Sequence, residues 1–208
     1  KSLQGHGTTR AMEDLGKPVV AALNGLAFGG GSELAAACNA RVAVDTKMLV
    51  GQPEPKLGII PGFGGTQRLP RWVGVLNSWK LLRDGEPISS AQAREMGLVS
   101  EVVKGDVLGR AIELARDMAD GKVPTPQIPR KPIEVPGDLP QVDIGHLSRK
   151  IDEILVKAVL DGARSTLEEG LKIEAAAFGK CLLTEDMRIG MKNFLENGPK
   201  AKAQFVHR

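Results

Sequence analysis

The chain has 208 residues, 42% of them apolar, and its 28 Lys and Arg against 25 Asp and Glu leave a formal charge of +3. That length accommodates one domain with a real core, and so mild a charge argues against a nucleic-acid face, which needs clustered basic residues. No apolar run is long enough to span a bilayer, and the two cysteines, Cys38 and Cys181, lack metal-ligand spacing and read as free thiols of a reducing, cytoplasmic compartment. With 3% aromatics and no Tyr, the core is expected to be aliphatic and rich in Ala and Gly.

In chain order, Lys1–Gly16 is polar, with a short helix expected around Thr8–Leu15. The apolar run Val19–Leu23 reads as a buried strand. Gly29, Gly30 and Gly31 follow, and the Ala- and Leu-rich run Glu33–Cys38 reads as a helix. Arg41–Val44 and Met48–Val50 read as short strands. Gly51–Arg71 is dense in Gly and Pro and reads as a loop whose last part, Thr66–Val73, turns helical. Further helices are expected at Asn77–Arg83, after a cap at Ser89 or Ser90, and at Leu108–Met118, with a strand over Leu98–Val103. Six prolines between Gly121 and Gly145 mark an extended connector and a domain-level boundary. The division expected is a core over 1–119, a connector over 120–146 and a helical region over 147–208. Within the last, Leu147–Phe178 has helical spacing with breaks near Gly162 and Gly170, and Thr184 caps a helix that runs to about Glu196. The tail KAKAQFVHR is basic, and there is no internal repeat.

A run of glycines is costly in backbone entropy and is tolerated where main chain must turn or approach something closely. Here it joins a strand to a helix start, where bare N–H groups and the dipole suit a developing negative charge. Two acids follow this turn in sequence. Glu33 lies in the first helical turn, where acids also favour stability alone; Glu54 lies between Pro53 and Pro55. Residue types and spacing by themselves reach an enzyme-like α/β domain with an oxyanion site. His6, His146 and His207 are scattered without a motif and read as surface or core residues. Gly62-Phe63-Gly64-Gly65 lacks the Lys-Ser/Thr of a phosphate loop. Arg68, Arg71, Trp72 and Trp79 read as structural.

The stretches KPVVAALNGLAFGGGSELAAAC and GQPEPKLGIIPGFGGTQRLPRWVG together resemble the enoyl-CoA hydratase (crotonase) superfamily. ISSAQAREMGLVSEVV and TEDMRIGMKNFLENGP are similar to later parts of that family. The resemblance implies an α/β fold, a spiral of ββα units incomplete at the N-terminus, with C-terminal helices packing in trimers that pair into hexamers. It implies hydration of a 2-enoyl-CoA to a 3-hydroxyacyl-CoA, as in fatty acid breakdown. By position, Gly30 supplies an oxyanion N–H, Glu33 and Glu54 are the two acid–base glutamates, and Gly29 and Gly62 shape the substrate site. Phe194 falls on a family position lining the CoA or acyl site, and Asn197 stands where the family carries a CoA-binding lysine, with Lys200 or Lys202 as substitutes. No metal and no cofactor are implied, because the coenzyme A thioester is the substrate.

A second family N–H comes from an upstream segment that nothing here matches. With the start at Lys1, this raises the expectation of a piece of a longer protein, such as a hydratase fused to a 3-hydroxyacyl-CoA dehydrogenase, completed by an upstream segment or a partner chain. The block around Asp45–Val50 carries one residue more than the family spacing. The rival readings are a hydrolase or isomerase of a cyclic or unsaturated acyl-CoA, and a non-catalytic assembly or RNA-binding relative supported by the basic tail. Membrane and nucleic-acid partners are not expected.

Overall fold

A computed structural model describes residues 2–208. Helix α1 (Ser2–Glu13) begins earlier than the sequence suggests. Then come β1 (Val20–Leu23), β2 (Ala27–Phe28) and α2 (Gly30–Ala36), followed by β3 (Ala40–Val44), β4 (Val50–Gly51), a 3-10 turn η1 (Glu54–Leu57) and α3 (Gly65–Arg83). The order β–β–α therefore occurs twice. In each unit the first strand joins one sheet and the second strand joins another. β1, β3 and β5 (Glu101–Val103) form a parallel sheet in the order β1-β3-β5, while β2 pairs in parallel with β4. Helix α4 (Ser90–Glu95) precedes β5, with Ser89 closing a capping box with Gln92.

Both faces of the three-stranded sheet are covered, which is why its strands are runs of Val and Ala. Val20, Ala22, Ala40, Val42 and Val44 face α5 (Val107–Ala119), whose Val107, Ala111, Leu114 and Met118 recur at helical spacing. Ala21, Leu23 and Ala43 face the main core instead. That core is completed by α3 together with α6 (Arg149–Ala163) and α7 (Leu167–Cys181).

Three expectations change. The loop reading of Gly51–Arg71 gives way to the end of β4, to η1 and to the start of α3. The helices expected at Thr66–Val73 and Asn77–Arg83 are the two halves of α3, broken at Gly74 (φ 83°, ψ 157°). Gly170 breaks nothing. It lies inside α7 beside Gly162 of α6, with the Gln67 side chain wedged between the two glycines, and the break comes at Arg164–Thr166. Thr166 caps α7 in a box with Glu169.

The proline-rich segment 121–145 has no regular element, and it forms a strap held along its length. Ile128 is buried against Leu167 and Leu171. The Leu167 N–H donates to the Arg130 carbonyl at 2.8 Å, the Ile133 N–H to Ala163 at 2.8 Å, and Trp79 Nε1 to Pro140 at 3.0 Å. Helix α8 (Glu185–Asn197) lies on η1, its Gly190 close against Leu57. Beyond it the basic tail docks through buried Ala203 and Phe205, and Asp186 accepts the Val206 N–H at 2.7 Å. Among the described residues no helix is long and apolar enough to cross a membrane.

Candidate active site

The glycine run sits where the two ββα units meet. Gly29 N–H donates to the Gly51 carbonyl at 2.9 Å, tying the end of β2 to the end of β4. Gly29 then takes φ 53°, and a Cβ there would stand 2.6 Å from Glu54 Oε1. Only glycine suits both the conformation and the approach. Gly30 opens α2, so its N–H has no acceptor within the helix. The Phe63 ring lies near Gly30 and packs on Gly5 of α1.

Glu33 lies one turn into α2 and is 2% exposed. Its Oε1 accepts the N–H groups of Phe63 and Gly65, both at 2.7 Å. Glu54 begins η1, where its flanking prolines fix the backbone. It is 9% exposed, and its Oε2 is buried without a hydrogen-bond partner. Burial pushes the Glu54 carboxyl up to about 7, and the nearby Glu174 adds to the rise. Burial also raises Glu33 well above the usual carboxylate range. The charges of Glu174 and Glu54 raise it further, and the two backbone donors oppose the shift.

Glu174, from α7, is a third carboxylate in this cluster and is fully buried. Its Oε1 accepts Gly64 N–H at 2.6 Å and pairs with His6 Nε2 at 2.8 Å; its Oε2 accepts Thr66 N–H at 3.0 Å and the Thr66 hydroxyl at 2.6 Å. Arg68 is equally buried. It grips Glu13 of α1 through Nε at 2.6 Å and Nη2 at 3.3 Å, and donates to the Phe63 carbonyl at 3.0 Å. Arg71 donates to the Gly162 and Ser165 carbonyls, both at 3.0 Å. These arginines are structural, as expected.

The structure thus brings Gly29, Gly30, Glu33 and Glu54 into one buried cluster. Gly62 adjoins it, its carbonyl accepting the Ser2 hydroxyl at 2.6 Å. Phe194 on α8 and Lys200 beyond it are exposed and lie outside this hydrogen-bonded cluster. Surface grooves of about 580, 370 and 740 Å³ lie between α3 and α4, between α6 and α7, and between α1 and α7, and neither glutamate lines them. Among the described residues no group of three His, Cys, Asp or Glu side chains is arranged to hold a metal ion. In the sequence Glu174 and His6 stand apart with no motif between them, and only the fold pairs them. The available signal was a charge at position 174 on the otherwise apolar stripe Leu167, Leu171, Ala177, Cys181 of α7.

Two buried carboxyls with raised proton affinity, together with a helix-start N–H that has no acceptor within its helix, are groups able to exchange protons with a bound molecule. The family profile described as enoyl-CoA hydratase/isomerase matches residues 3–128. The chain is 37% identical over 197 residues to a crotonyl-CoA hydratase of Syntrophomonas wolfei, covering 95% of this chain and 65% of the relative. It is 38% identical over 194 residues to a probable enoyl-CoA hydratase of Bacillus subtilis, covering 93% of this chain and 64% of the relative. The chain therefore spans slightly less than two thirds of these curated relatives. The crystal structure of an enoyl-CoA hydratase from Bacillus anthracis superposes with a TM-score of 0.53 at 31% identity, covering 99% of this chain and 68% of that one.

Proposed function

The chain belongs to the enoyl-CoA hydratase/isomerase family, and from that membership we propose that it adds water across the double bond of a 2-enoyl-CoA to give a 3-hydroxyacyl-CoA. The observation that carries this reading is the pair Glu33 and Glu54, buried together beside the Gly30 N–H. In this proposal the thioester oxygen accepts the Gly30 N–H. Charge grows on that oxygen as hydroxide adds at C3, and one preorganised donor of this kind is worth about 2.7–4 kcal/mol. A water molecule sits between the glutamates. One carboxylate takes its proton as the oxygen bonds to C3, and the other carboxyl delivers a proton to C2. Burial holds the Glu54 carboxyl at about 7, so near neutral pH it can serve as acid or as base. The acyl-CoA is the substrate, and water addition through the two glutamates calls for no further cofactor.

Gly29 and Gly62 are assigned to the walls around the thioester. Exposed Phe194 and Lys200 are assigned to the CoA portion, where an ammonium meets phosphate charge. The test is a panel of crotonyl-CoA, a 3-enoyl-CoA and a cyclic acyl-CoA. Loss of enoyl absorbance with crotonyl-CoA, and a 3-hydroxybutyryl-CoA product, is expected. In the same panel Lys200→Ala raises KM and leaves kcat in place. Turnover of only the 3-enoyl or cyclic thioester would replace hydration with isomerase or hydrolase chemistry.

A further inference from the structure

Glu174 has no part in the steps written above, yet the fold buries its carboxylate completely where an apolar side chain would fill the stripe of α7. A charge in that position persists only when donors surround it, and four do so. Their arrangement is the informative feature. The four consecutive N–H groups at the start of α3 alternate between two carboxyls. Phe63 and Gly65 donate to Glu33, while Gly64 and Thr66 donate to Glu174. The strip 63–66 is therefore clamped from both sides. Any slip that releases Glu174 also withdraws the two donors that fix Glu33 Oε1. His6 secures the far side of the clamp from α1, itself 6% exposed.

We propose that Glu174 is a positioning residue for Glu33, acting through the N–H strip Phe63–Thr66, with His6 holding it in place. The proposal rests on the reading of Glu33 as half of the proton-transfer pair. The charged or titratable groups facing Glu174 are His6 from α1, Glu33 from α2 and Glu54 from η1. Displacing a catalytic group by about 1 Å costs on the order of a hundredfold in rate, so the effect falls on kcat.

The experiment compares the full chain with Glu174→Gln in crotonyl-CoA hydration and in a 13C NMR titration of the Glu33 and Glu54 carboxyls. The expected result is a kcat lower by roughly tenfold to a hundredfold at a nearly unchanged KM. The Glu54 midpoint also moves down, because a neighbouring negative charge is gone. A folded variant with parental kcat and parental midpoints overturns the proposal. Should Glu174→Gln not fold, His6→Leu and His6→Gln decide. Loss of kcat in the first with recovery in the second, which restores a donor to Glu174, supports the clamp; parental kcat in both overturns it. A parent that does not hydrate crotonyl-CoA refutes the hydratase reading alone. The carboxyl titration then still decides whether Glu174 acts on the pair, since it reads protonation rather than turnover.

Discussion

Ionised, Glu54 would leave a buried oxygen without a donor, so the folded state favours the protonated carboxyl. Its value of about 7 in the fold lies above the ordinary 4.5. The stability from this group is therefore fully present below pH 4.5 and is lost as pH rises through about 7. Glu54→Gln is neutral at every pH. Relative to the parent, the variant gains stability on the order of 2–3 kcal/mol on going from pH 5 to pH 8. Thermal melts at the two pH values check this, and a difference that does not change with pH would contradict it. Glu33 and Glu54 stand out in the sequence through the family resemblance of the stretches that hold them, since residue type and spacing alone leave one a helix-start acid and the other a loop acid. Glu174 and His6 do not, because their partnership spans 168 positions in the sequence and only the fold brings them together.

At the scale of elements, the N-terminus of α3 joins the site to the scaffold. Gly64 takes φ 106° there, and a Cβ would run into the Arg68 guanidinium that pairs with Glu13. Gly74, at the break in α3, takes φ 83° with open space around it. Backbone strain penalises alanine at both sites by about 1–3 kcal/mol, and Gly64→Ala must also displace a buried ion pair. Urea denaturation should rank Gly64→Ala as the more damaging; the reverse order would contradict this account of the motif. The longer elements were readable, α5 from its amphipathic spacing and α8 from its Thr184 cap. β2 was not, since two residues carry no period and its identity comes from pairing with β4. η1 was hidden by the prolines that read as loop, although Pro55 occupies the first turn of a helix, where no N–H is needed.

For the whole molecule, the main core takes side chains from before and after the proline-rich strap. Leu49 and Leu69 meet Ile151 and Leu155 in one cluster. The strap was legible as irregular chain, but its docking on α3, α6 and α7 was not, because prolines report backbone shape and not what the backbone lies against. The same packing places Glu174 against the Gly64 and Thr66 N–H groups and α8 against the turn that carries Glu54. Acid–base hydration through Glu33 and Glu54 is the chemistry proposed for this arrangement. The most direct test is the initial rate of crotonyl-CoA hydration by the parent beside Glu54→Gln and Glu33→Gln, each checked for folding by its thermal melt. The expected result is an active parent and folded variants whose kcat falls by at least roughly a hundredfold, the lower end for loss of a general acid or base. Folded variants that hydrate at the parental rate would contradict it.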